Sequence, residues 1–209
     1  MRSYRSSSPQ GAATARAESD APAVINAPLF RSLIQMLEED RRWVVLDLGA
    51  ARPQTIGLLN RYRCRLDVAD IANGIKSLSV PSDSIVLGDR IHALVPTCHT
   101  ERTDITLCWD FLNYFERDAL TVLMANIAAR CRPGAFVHAL IVYSDKLMQD
   151  QPGQFVPVDE GHLLNASTAK PSRIAPRYST EDLRLCLPDF SIEKVRLLGN
   201  GMQEYLFRR

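Results

Sequence analysis

Three carboxylates stand where buried strands of the chain are predicted to end. Asp47 lies near the end of the apolar residues 43–48, Asp70 follows a second β-prone segment, and Asp110 follows residues 104–109. A carboxylate has two oxygens that can accept hydrogen bonds from paired hydroxyl groups or from backbone N–H groups. In an open α/β sheet, ligands bind in the crevice outside the carboxyl ends of the strands. The pattern therefore predicts a nucleotide-type pocket at that edge of the sheet.

The turn after the first of these strands carries a single glycine, Gly49, followed by Ala50, Ala51, Arg52 and Pro53. Pro53 suits the first position of a helix, where its missing N–H costs nothing. Glycine lets a backbone approach a ligand closely, because no Cβ stands between them. Turns of this kind usually hold more glycine, so the two alanines and the arginine either reshape the pocket or close it.

The composition is that of a folded protein with nearly balanced charge. The 209 residues are 46% hydrophobic and carry 25 basic and 24 acidic side chains, for a net charge of +1. This balance gives no electrostatic reason to expect a nucleic acid or a membrane as a partner. No segment approaches the roughly 18–20 apolar residues that a membrane helix needs. We expect one soluble, cytoplasmic domain with a tail.

Cysteine and histidine show no pattern typical of metal binding or covalent catalysis. None of the five cysteines lies in a C-x-x-C motif, and the four histidines lack the spacing of metal ligands. We expect free thiols in a reducing compartment and no metal site. His138 lies in an apolar segment, where a histidine is more often a hydrogen-bonded interior residue than a base.

Two segments depart from the regular pattern. Residues 1–26 are rich in Ser, Ala and Arg, and they are predicted to form a disordered tail, because they bury too little to offset the entropy of ordering. The folded domain then spans residues 27–209. Residues 145–177 contain four prolines and are too long for an ordinary connection. We expect a lid, a partly helical insertion or a mobile loop there.

Hydrophobic periodicity predicts alternating helices and strands in the rest of the chain. The predicted helices span residues 28–37, a segment from residue 53, 116–130 and 179–187; the predicted strands span 43–48, 63–70, 104–109, 135–143, 190–198 and 202–207. The helix at 179–187 opens on a capping-box motif, residues 179–182. Residues 84–87 form either a short strand before Gly88 and Asp89 or part of a stretch of helix and loop.

The last two strands are joined by residues 199–201, Gly-Asn-Gly, a strong signal for the tight turn of an antiparallel hairpin. Strands that alternate with helices, followed by a hairpin, predict an α/β fold. We expect a Rossmann-like open sheet, mainly parallel, of about seven strands, with a C-terminal antiparallel hairpin and helices on both faces.

This arrangement resembles the class I S-adenosylmethionine-dependent methyltransferase fold over nearly all of the chain outside the tail. Residues 46–49, Leu-Asp-Leu-Gly, resemble the family's first motif. Asp70 stands 21 positions after Gly49, the spacing at which the family commonly places the carboxylate that holds the cofactor ribose. Residues 104–114 resemble the fourth strand and its loop, which faces the transferred methyl group. Residues 132–134, Arg-Pro-Gly, resemble the turn into the fifth strand.

The resemblance implies S-adenosylmethionine as the cofactor and an unidentified small molecule or protein side chain as the methyl acceptor. The cofactor-binding residues that it implies are Asp47, Gly49, Ala50, Ala51, Asp70 and Asp110. Asp110 and Tyr114 are the implied catalytic residues, with Asn113 as a further contact to the acceptor. The family's third motif, near the adenine, falls at Asp89.

Each of these side chains also has a purely structural interpretation. Asp70 can cap the helix that follows it, Asp110 can cap a turn, and Tyr114 can pack at the junction between sheet and helix. The arginines at positions 61, 63 and 65 either form a basic edge for a protein partner or discourage aggregation of an edge strand.

The sequence supports two main functional hypotheses. The first is a methyltransferase, in which the protein holds an acceptor against the methyl group and excludes water. The second is a catalytically inactive protein of the same fold that serves as a partner-binding or scaffold module, an alternative suggested by the glycine-poor turn. A dinucleotide-dependent oxidoreductase is a weaker alternative, because the turn lacks the glycines that let a helix receive a pyrophosphate.

Overall fold

The structure is a computed structural model that describes residues 23–37, 41–75, 84–95 and 101–209. Its strands, in chain order, are β1 Ala23–Asn26, β2 Trp43–Asp47, β3 Cys64–Val68, β4 Thr103–Trp109, β5 Cys131–Val142, β6 Leu147–Met148, β7 Phe155–Pro157, β8 His162–Asn165, β9 Arg173–Ile174, β10 Ser191–Leu197 and β11 Met202–Arg208. The α-helices are α1 Pro28–Gln35, α2 Pro53–Leu59, α3 Ser84–Leu94, α4 Arg117–Arg130 and α5 Thr180–Cys186.

The central sheet has six strands within the described residues, in the order β10-β11-β5-β4-β2-β3. Strands β3, β2, β4 and β5 run parallel, whereas β11 pairs antiparallel with β5 and β10 pairs antiparallel with β11. The fold is therefore α/β with a mainly parallel sheet. About seven strands were expected; residues 84–87 begin helix α3, so the strand interpretation of that segment is wrong.

The centre of the sheet is covered on both faces. Every residue of β2 and of β4 is buried, and successive side chains of a strand point to opposite faces. This is why residues 43–47 form a nearly continuous apolar run rather than an alternating one. The outer strands differ, since β3 is half-buried along its length and β10 is mostly exposed.

The amino ends of β2 and β4 are held together by a buried carboxylate, Asp104. Its Oδ2 accepts a hydrogen bond from Val44 N at 2.9 Å, and its Oδ1 forms ion pairs with Arg41 and Arg132 at 2.8 Å each. Both arginines are half-exposed while Asp104 is 2% exposed. This contact fixes the register of the two strands at the edge opposite the predicted pocket.

Helix α5 begins with the capping box that the sequence predicted. The Ser179 side chain accepts a hydrogen bond from Asp182 N, and the Asp182 carboxylate accepts one from Ser179 N. Two backbone N–H groups that lack partners inside the helix are thereby satisfied. The hairpin turn that follows later in the chain has Gly201 at φ +83°, a left-handed conformation that favours glycine.

The boundaries of the predicted tail and lid change in the structure. Residues 23–26, assigned to the disordered tail, form β1, which pairs antiparallel with β8 in a three-stranded sheet with β7. Residues 1–22 lie outside the described residues. The segment 145–177 contains four short strands, β6 to β9, and its described structure includes no helix, so the partly helical alternative is wrong.

Other boundaries agree closely with the predicted elements. The largest difference is β5, which begins at Cys131 rather than at residue 135 and includes Gly134 at φ +79°. Across the described part of the chain, no helix is long and apolar enough to cross a membrane.

The order in which the chain adds strands to the sheet reverses at β2. From β2 the chain moves to β3 on one side and then returns to β4 on the other. The crevice between the carboxyl ends of such strands is the usual place for a ligand in an open α/β sheet. Asp47 is the last residue of β2, and Asp70 and Asp110 follow β3 and β4 at the same edge of the sheet.

Candidate functional site

A cavity of about 660 Å³ lies at the carboxyl ends of β2, β3 and β4 and is closed on one side by residues 150–155. Ligand pockets commonly have volumes of about 300–1,000 Å³. The described residues that line it are Gly49, Ala50, Arg52, Asp70, Ala72, Ile75, Trp109, Phe111, Asp150, Gln151, Pro152, Gly153, Gln154, Phe155 and Arg173.

Asp47 lies beneath the turn that follows β2 and holds it in place. Its Oδ1 accepts hydrogen bonds from Gly49 N at 2.8 Å and from Trp109 Nε1 at 2.6 Å. Burial raises the pKa of Asp47 to about 6, and the two hydrogen bonds oppose that rise. The side chain is 1% exposed and is not among the lining residues, so it acts on the turn rather than on the cavity directly.

The protein's own side chains leave little room for a Cβ at Gly49. A Cβ at this position would lie 3.1 Å from Asp47 Oδ1 and 3.1 Å from Trp109 Nε1, closer than ordinary van der Waals contact. From the sequence, a glycine here is expected to let a ligand approach the backbone closely. The structure adds a second reason for a glycine at this position, which is the packing of Trp109 against the turn.

Trp109 joins the turn to the core of the protein. Its backbone has φ +47°, an uncommon conformation for a bulky residue, and the β4–β5 register shifts between Leu107 and Trp109. Such irregularities often redirect a side chain at the end of a strand. Here the indole reaches Asp47 and packs against the rings of Phe30 and His138, with centroids 6.0 and 6.4 Å away.

Asp70 lines the cavity on the side of β3. Its backbone is in the left-handed region at φ 42°, and its N–H donates to Gly49 O at 3.2 Å. The carboxylate makes no capping hydrogen bond to the 3₁₀ helix Ile71–Gly74, so the interpretation of Asp70 as a cap is wrong within the described structure. Its two oxygens remain available to the cavity.

The rest of the turn leaves the cavity open. Ala50 is half-buried and lines it, whereas Ala51 is exposed and is not one of the described lining residues. Arg52 also lines the cavity and precedes α2 in an extended conformation. The methyl group of Ala51 therefore does not narrow the cavity.

Asp110 is a buried carboxyl that contacts the segment after β6. Its Oδ2 accepts a hydrogen bond from Gly153 N at 2.8 Å, and its buried Oδ1 has no hydrogen-bond partner in the described part of the chain. Burial raises the pKa of Asp110 to about 7. The residue is not one of the described lining residues, but Gly153 is, so Asp110 lies directly behind that wall.

Tyr114 contacts the same segment from the 3₁₀ helix Phe111–Tyr114. Its hydroxyl lies 2.7 Å from Gln151 O and 3.2 Å from Gln149 O, which places both carbonyls within reach of its single proton. Burial raises the pKa of Tyr114 above its usual range. Like Asp110, it is buried behind the wall of the cavity rather than among its lining residues.

The side-chain amide of Asn113 is held by hydrogen bonds to the backbone. Its Nδ2 donates to Asp110 O and to Leu140 O at 2.8 Å each, and its Oδ1 accepts from Val142 N at 2.9 Å. Two donated bonds and one accepted bond occupy both donors and one acceptor site of the amide. Asn113 therefore connects the loop after β4 to the end of β5, which is a structural role.

His138 pairs with a second buried carboxylate on the neighbouring strand. Its Nε2 lies 2.9 Å from Glu204 Oε1, and both side chains are fully buried. Glu204 also accepts hydrogen bonds from the backbone N–H groups of Leu29 and Phe30 at 2.9 and 2.7 Å. The pair thereby anchors the first turn of α1 to β11. His138 is thus an interior, hydrogen-bonded histidine, as its apolar segment indicates. Its Nδ1 lacks a partner among the described residues.

The half of the cavity formed by the segment 145–177, the lid half, contains residues for which the sequence carries no signal. Asp150 and Phe155 come from the segment 145–177, and Arg173 lies in a strand of two residues. No periodic pattern marks them, because their position depends on pairing between short strands. Arg52, expected in the turn beside the pocket, lines the cavity, and so does Trp109 at the end of β4.

Two further sequence predictions are placed elsewhere. Asp89 is exposed within α3, so its assignment to a turn near the adenine is wrong. In the predicted basic edge, Arg61 pairs with Glu160 at 2.9 Å and Arg65 with Asp67 at 3.1 Å. Among the described residues, no group of three or more potential ligands could hold a metal ion, and the four described cysteines are free.

No family model matches the chain, and no curated protein matches it. Solved structures do show similarity. One is the pyocyanin biosynthetic protein PhzM, with 14% sequence identity, coverage of 86% of this chain and 54% of that chain, and a TM-score of 0.48. The chain thus spans about half the length of PhzM.

Two others are methyltransferases. The 1,6-didemethyltoxoflavin-N1-methyltransferase of Burkholderia thailandensis, solved with S-adenosylhomocysteine, has 18% identity, coverage of 86% and 77% of the two chains, and a TM-score of 0.49. An S-adenosylmethionine-dependent methyltransferase from Clostridium acetobutylicum has 13% identity, coverage of 87% and 88%, and a TM-score of 0.49. The fold class of this chain rests on the strand order described above.

Proposed function

We propose that this protein is an S-adenosylmethionine-dependent methyltransferase and that the cavity beside β2 holds its cofactor. The observation that carries the proposal is the position of Asp70. Its carboxylate lines the same cavity as Gly49 and Ala50, at the point where the strand order reverses. It makes no capping hydrogen bond to the helix that follows. A carboxylate free to accept two hydrogen bonds suits the paired hydroxyl groups of a ribose.

The remaining cofactor contacts follow from the same half of the cavity. The turn at Gly49 and Ala50 would hold the amino acid part of the cofactor, with Asp47 fixing the turn from beneath. Ala72 and Ile75 supply apolar surface beyond Asp70, which suits a flat base. A dinucleotide fits less well, since Pro53 begins α2 without an N–H to offer a pyrophosphate.

S-adenosylmethionine would supply a methyl group on a sulfonium sulfur: the bond from the acceptor to the methyl forms as the S–CH₃ bond breaks, the sulfur becomes the neutral thioether of S-adenosylhomocysteine, and the acceptor releases a proton. The protein's tasks are then to orient the acceptor and to exclude water. Residues 150–155 form the wall that would exclude water.

Asp110 and Tyr114 are proposed to position that wall. Asp110 holds Gly153, and Tyr114 holds the carbonyls of Gln149 and Gln151, so the two side chains fix three residues of one short segment. Their assignment as catalytic residues stays a prediction, since that role requires contact with the acceptor. A carboxyl with a pKa near neutrality would suit a proton acceptor.

Isothermal titration calorimetry with S-adenosylhomocysteine and S-adenosylmethionine tests the proposal. The wild-type protein should bind both, and Asp70→Ala should weaken binding by about tenfold or more, or ~1.4 kcal/mol. Asp67→Asn is the matched control, because Asp67 lies three residues earlier, pairs with Arg65 and is not among the lining residues. Its affinity should stay within about twofold of wild type.

The scaffold alternative makes the opposite prediction. An inactive protein of this fold would show no heat of binding up to about millimolar ligand and would copurify with a stable partner. Equal affinities in wild type and Asp70→Ala would remove the observation on which the proposal rests.

A further inference from the structure

The lid half of the cavity contains a positively charged side chain that forms no ion pair with the described residues. Arg173, in β9, lines the cavity, and it forms no ion pair within the part of the chain that the structure describes. Its guanidinium lies 5.6 Å from the centroid of the Tyr114 ring, within range of a cation–π contact. This contact orients the side chain, and its guanidinium N–H groups donate no hydrogen bond to the described residues.

Tyr114 cannot offer its hydroxyl to a ligand in this arrangement. Its single proton is directed to the carbonyls of Gln149 and Gln151, so only the ring face is left for Arg173. The guanidinium is therefore oriented by an aromatic ring that the lid segment itself fixes. A planar group with five donors, held in this way, is suited to bidentate binding of a carboxylate.

The other charges of the cavity restrict the class of ligand further. Asp70 and Arg52 belong to the half proposed for the cofactor, beside the turn at Gly49. Asp150 is the second charged residue of the lid half. One cation and one carboxylate match a ligand with a single negative charge and a hydrogen-bond donor, whereas a phosphate dianion would face repulsion from Asp150.

The aromatic residues of the cavity wall offer little surface to a ligand. Trp109, Phe111 and Phe155 line the cavity but are only 2%, 3% and 5% exposed. Recognition on this side of the cavity therefore falls to the two charged side chains, Arg173 and Asp150.

We propose that the methyl acceptor is a small carboxylate bearing a hydroxyl or amino group, whose carboxylate binds Arg173 and whose hydroxyl or amino group donates a hydrogen bond to Asp150. This rests on the proposed function, because it concerns the acceptor side of the same cavity. Arg173 and Asp150 are then the residues that determine which acceptors bind.

The test compares acids with their neutral amides. The probes are salicylate and salicylamide, 4-hydroxybenzoate and 4-hydroxybenzamide, and 2-aminobenzoate and 2-aminobenzamide, titrated calorimetrically into protein saturated with S-adenosylhomocysteine. At least one acid should bind about tenfold tighter than its amide, or ~1.4 kcal/mol. In Arg173→Gln this preference should fall to about twofold or less. Thermal unfolding of each variant verifies that it is folded.

Arg196→Gln is the matched control, since Arg196 is exposed on β10 and lies outside the lining residues. It should keep the full preference for the acid. The proposal is overturned if wild-type protein shows no preference for any acid over its amide, or if Arg173→Gln retains it.

Failure of the proposed function has a different signature, which is that wild-type protein does not bind S-adenosylhomocysteine. The same acid and amide titrations are then made without it, and the ratio of affinities in wild type and Arg173→Gln decides the role of Arg173. A wild-type protein that binds S-adenosylhomocysteine but treats every acid and amide alike contradicts the acceptor class alone.

Discussion

Asp110 is a buried carboxyl whose ionisation opposes folding, so its replacement by asparagine should change how stability depends on pH. Its Oδ2 has one hydrogen bond, from Gly153 N, and its Oδ1 has none among the described residues. Burial raises the pKa of Asp110 from its ordinary value of 3.8 to about 7. Between these values the folded protein retains a proton that the unfolded chain has lost.

The size of the effect follows from this difference in pKa. Stability from the retained proton is fully present below about pH 3.8 and is lost as the pH rises through about 7. Each pH unit in this interval removes about 1.4 kcal/mol of folding free energy. The whole interval therefore costs the wild-type protein on the order of 4 kcal/mol, as an upper bound.

Asp110→Asn keeps an oxygen for Gly153 N but cannot ionise. Its amide N–H₂ takes the position that lacks a partner, as the hydroxyl of the protonated carboxyl does in wild type at low pH. Only wild type loses stability as the pH rises, so the stability of the variant relative to wild type should increase between about pH 4 and about pH 8, by up to about 4 kcal/mol. Urea unfolding, followed by tryptophan fluorescence across this range, measures it.

The control for this series is Asp67→Asn, a half-buried carboxylate that is paired with Arg65. Its difference from wild type should change much less over the same range. A free-energy difference between Asp110→Asn and wild type that stays constant within about 1 kcal/mol from pH 4 to 8 would refute the reasoning.

Three further substitutions test the contacts that hold the site. Gly49→Ala should cost about 1–3 kcal/mol, because its Cβ crowds Asp47 and Trp109; denaturant unfolding measures this, and an unchanged midpoint would contradict the crowding. Asp104→Leu should cost about 2 kcal/mol, less than a fully buried pair, since both arginines left behind reach water; thermal unfolding checks it against Asp67→Asn. Glu204→Leu should cost about 3 kcal/mol or more, because two N–H groups of α1 and His138 lose their acceptor; a neutral result in calorimetric unfolding would contradict the anchoring role.

The parts of the fold that could be predicted are those written in local patterns. The apolar run at 43–47 defines a strand buried on both faces, and residues 179–182 form the capping box that their types indicate. Such signals depend only on residues that are close together in the sequence, so they can be recognised without knowledge of the fold. Asp70 is indicated differently, by the family resemblance, which places a carboxylate 21 positions after the glycine of the turn.

The wall of the cavity could not be predicted, because it depends on contacts between distant segments. Strand β1 pairs with β8 across most of the chain, and β9 pairs with β6 through only two residues. Strands this short have no periodicity to detect. Arg173 lies in β9, so its place beside the cavity depends on that pairing and had no signal in the sequence.

The orientation of side chains at strand ends was also beyond the sequence. Asp110 follows β4 as predicted, but the irregular register at Trp109 directs the indole to Asp47 and leaves Asp110 behind the wall formed by Gly153. A change of register at one residue reverses which side chain faces a given direction. A position at the end of a strand therefore identifies a candidate, whereas its role requires the structure.

A crystal structure of the protein grown with S-adenosylhomocysteine tests the central claim most directly. The account predicts the ligand in the cavity beside β2, with both ribose hydroxyl groups within about 2.5–3.0 Å of the Asp70 carboxylate and its amino acid part against the turn at Gly49. Ligand bound elsewhere, or a ribose without contact to Asp70, would contradict it.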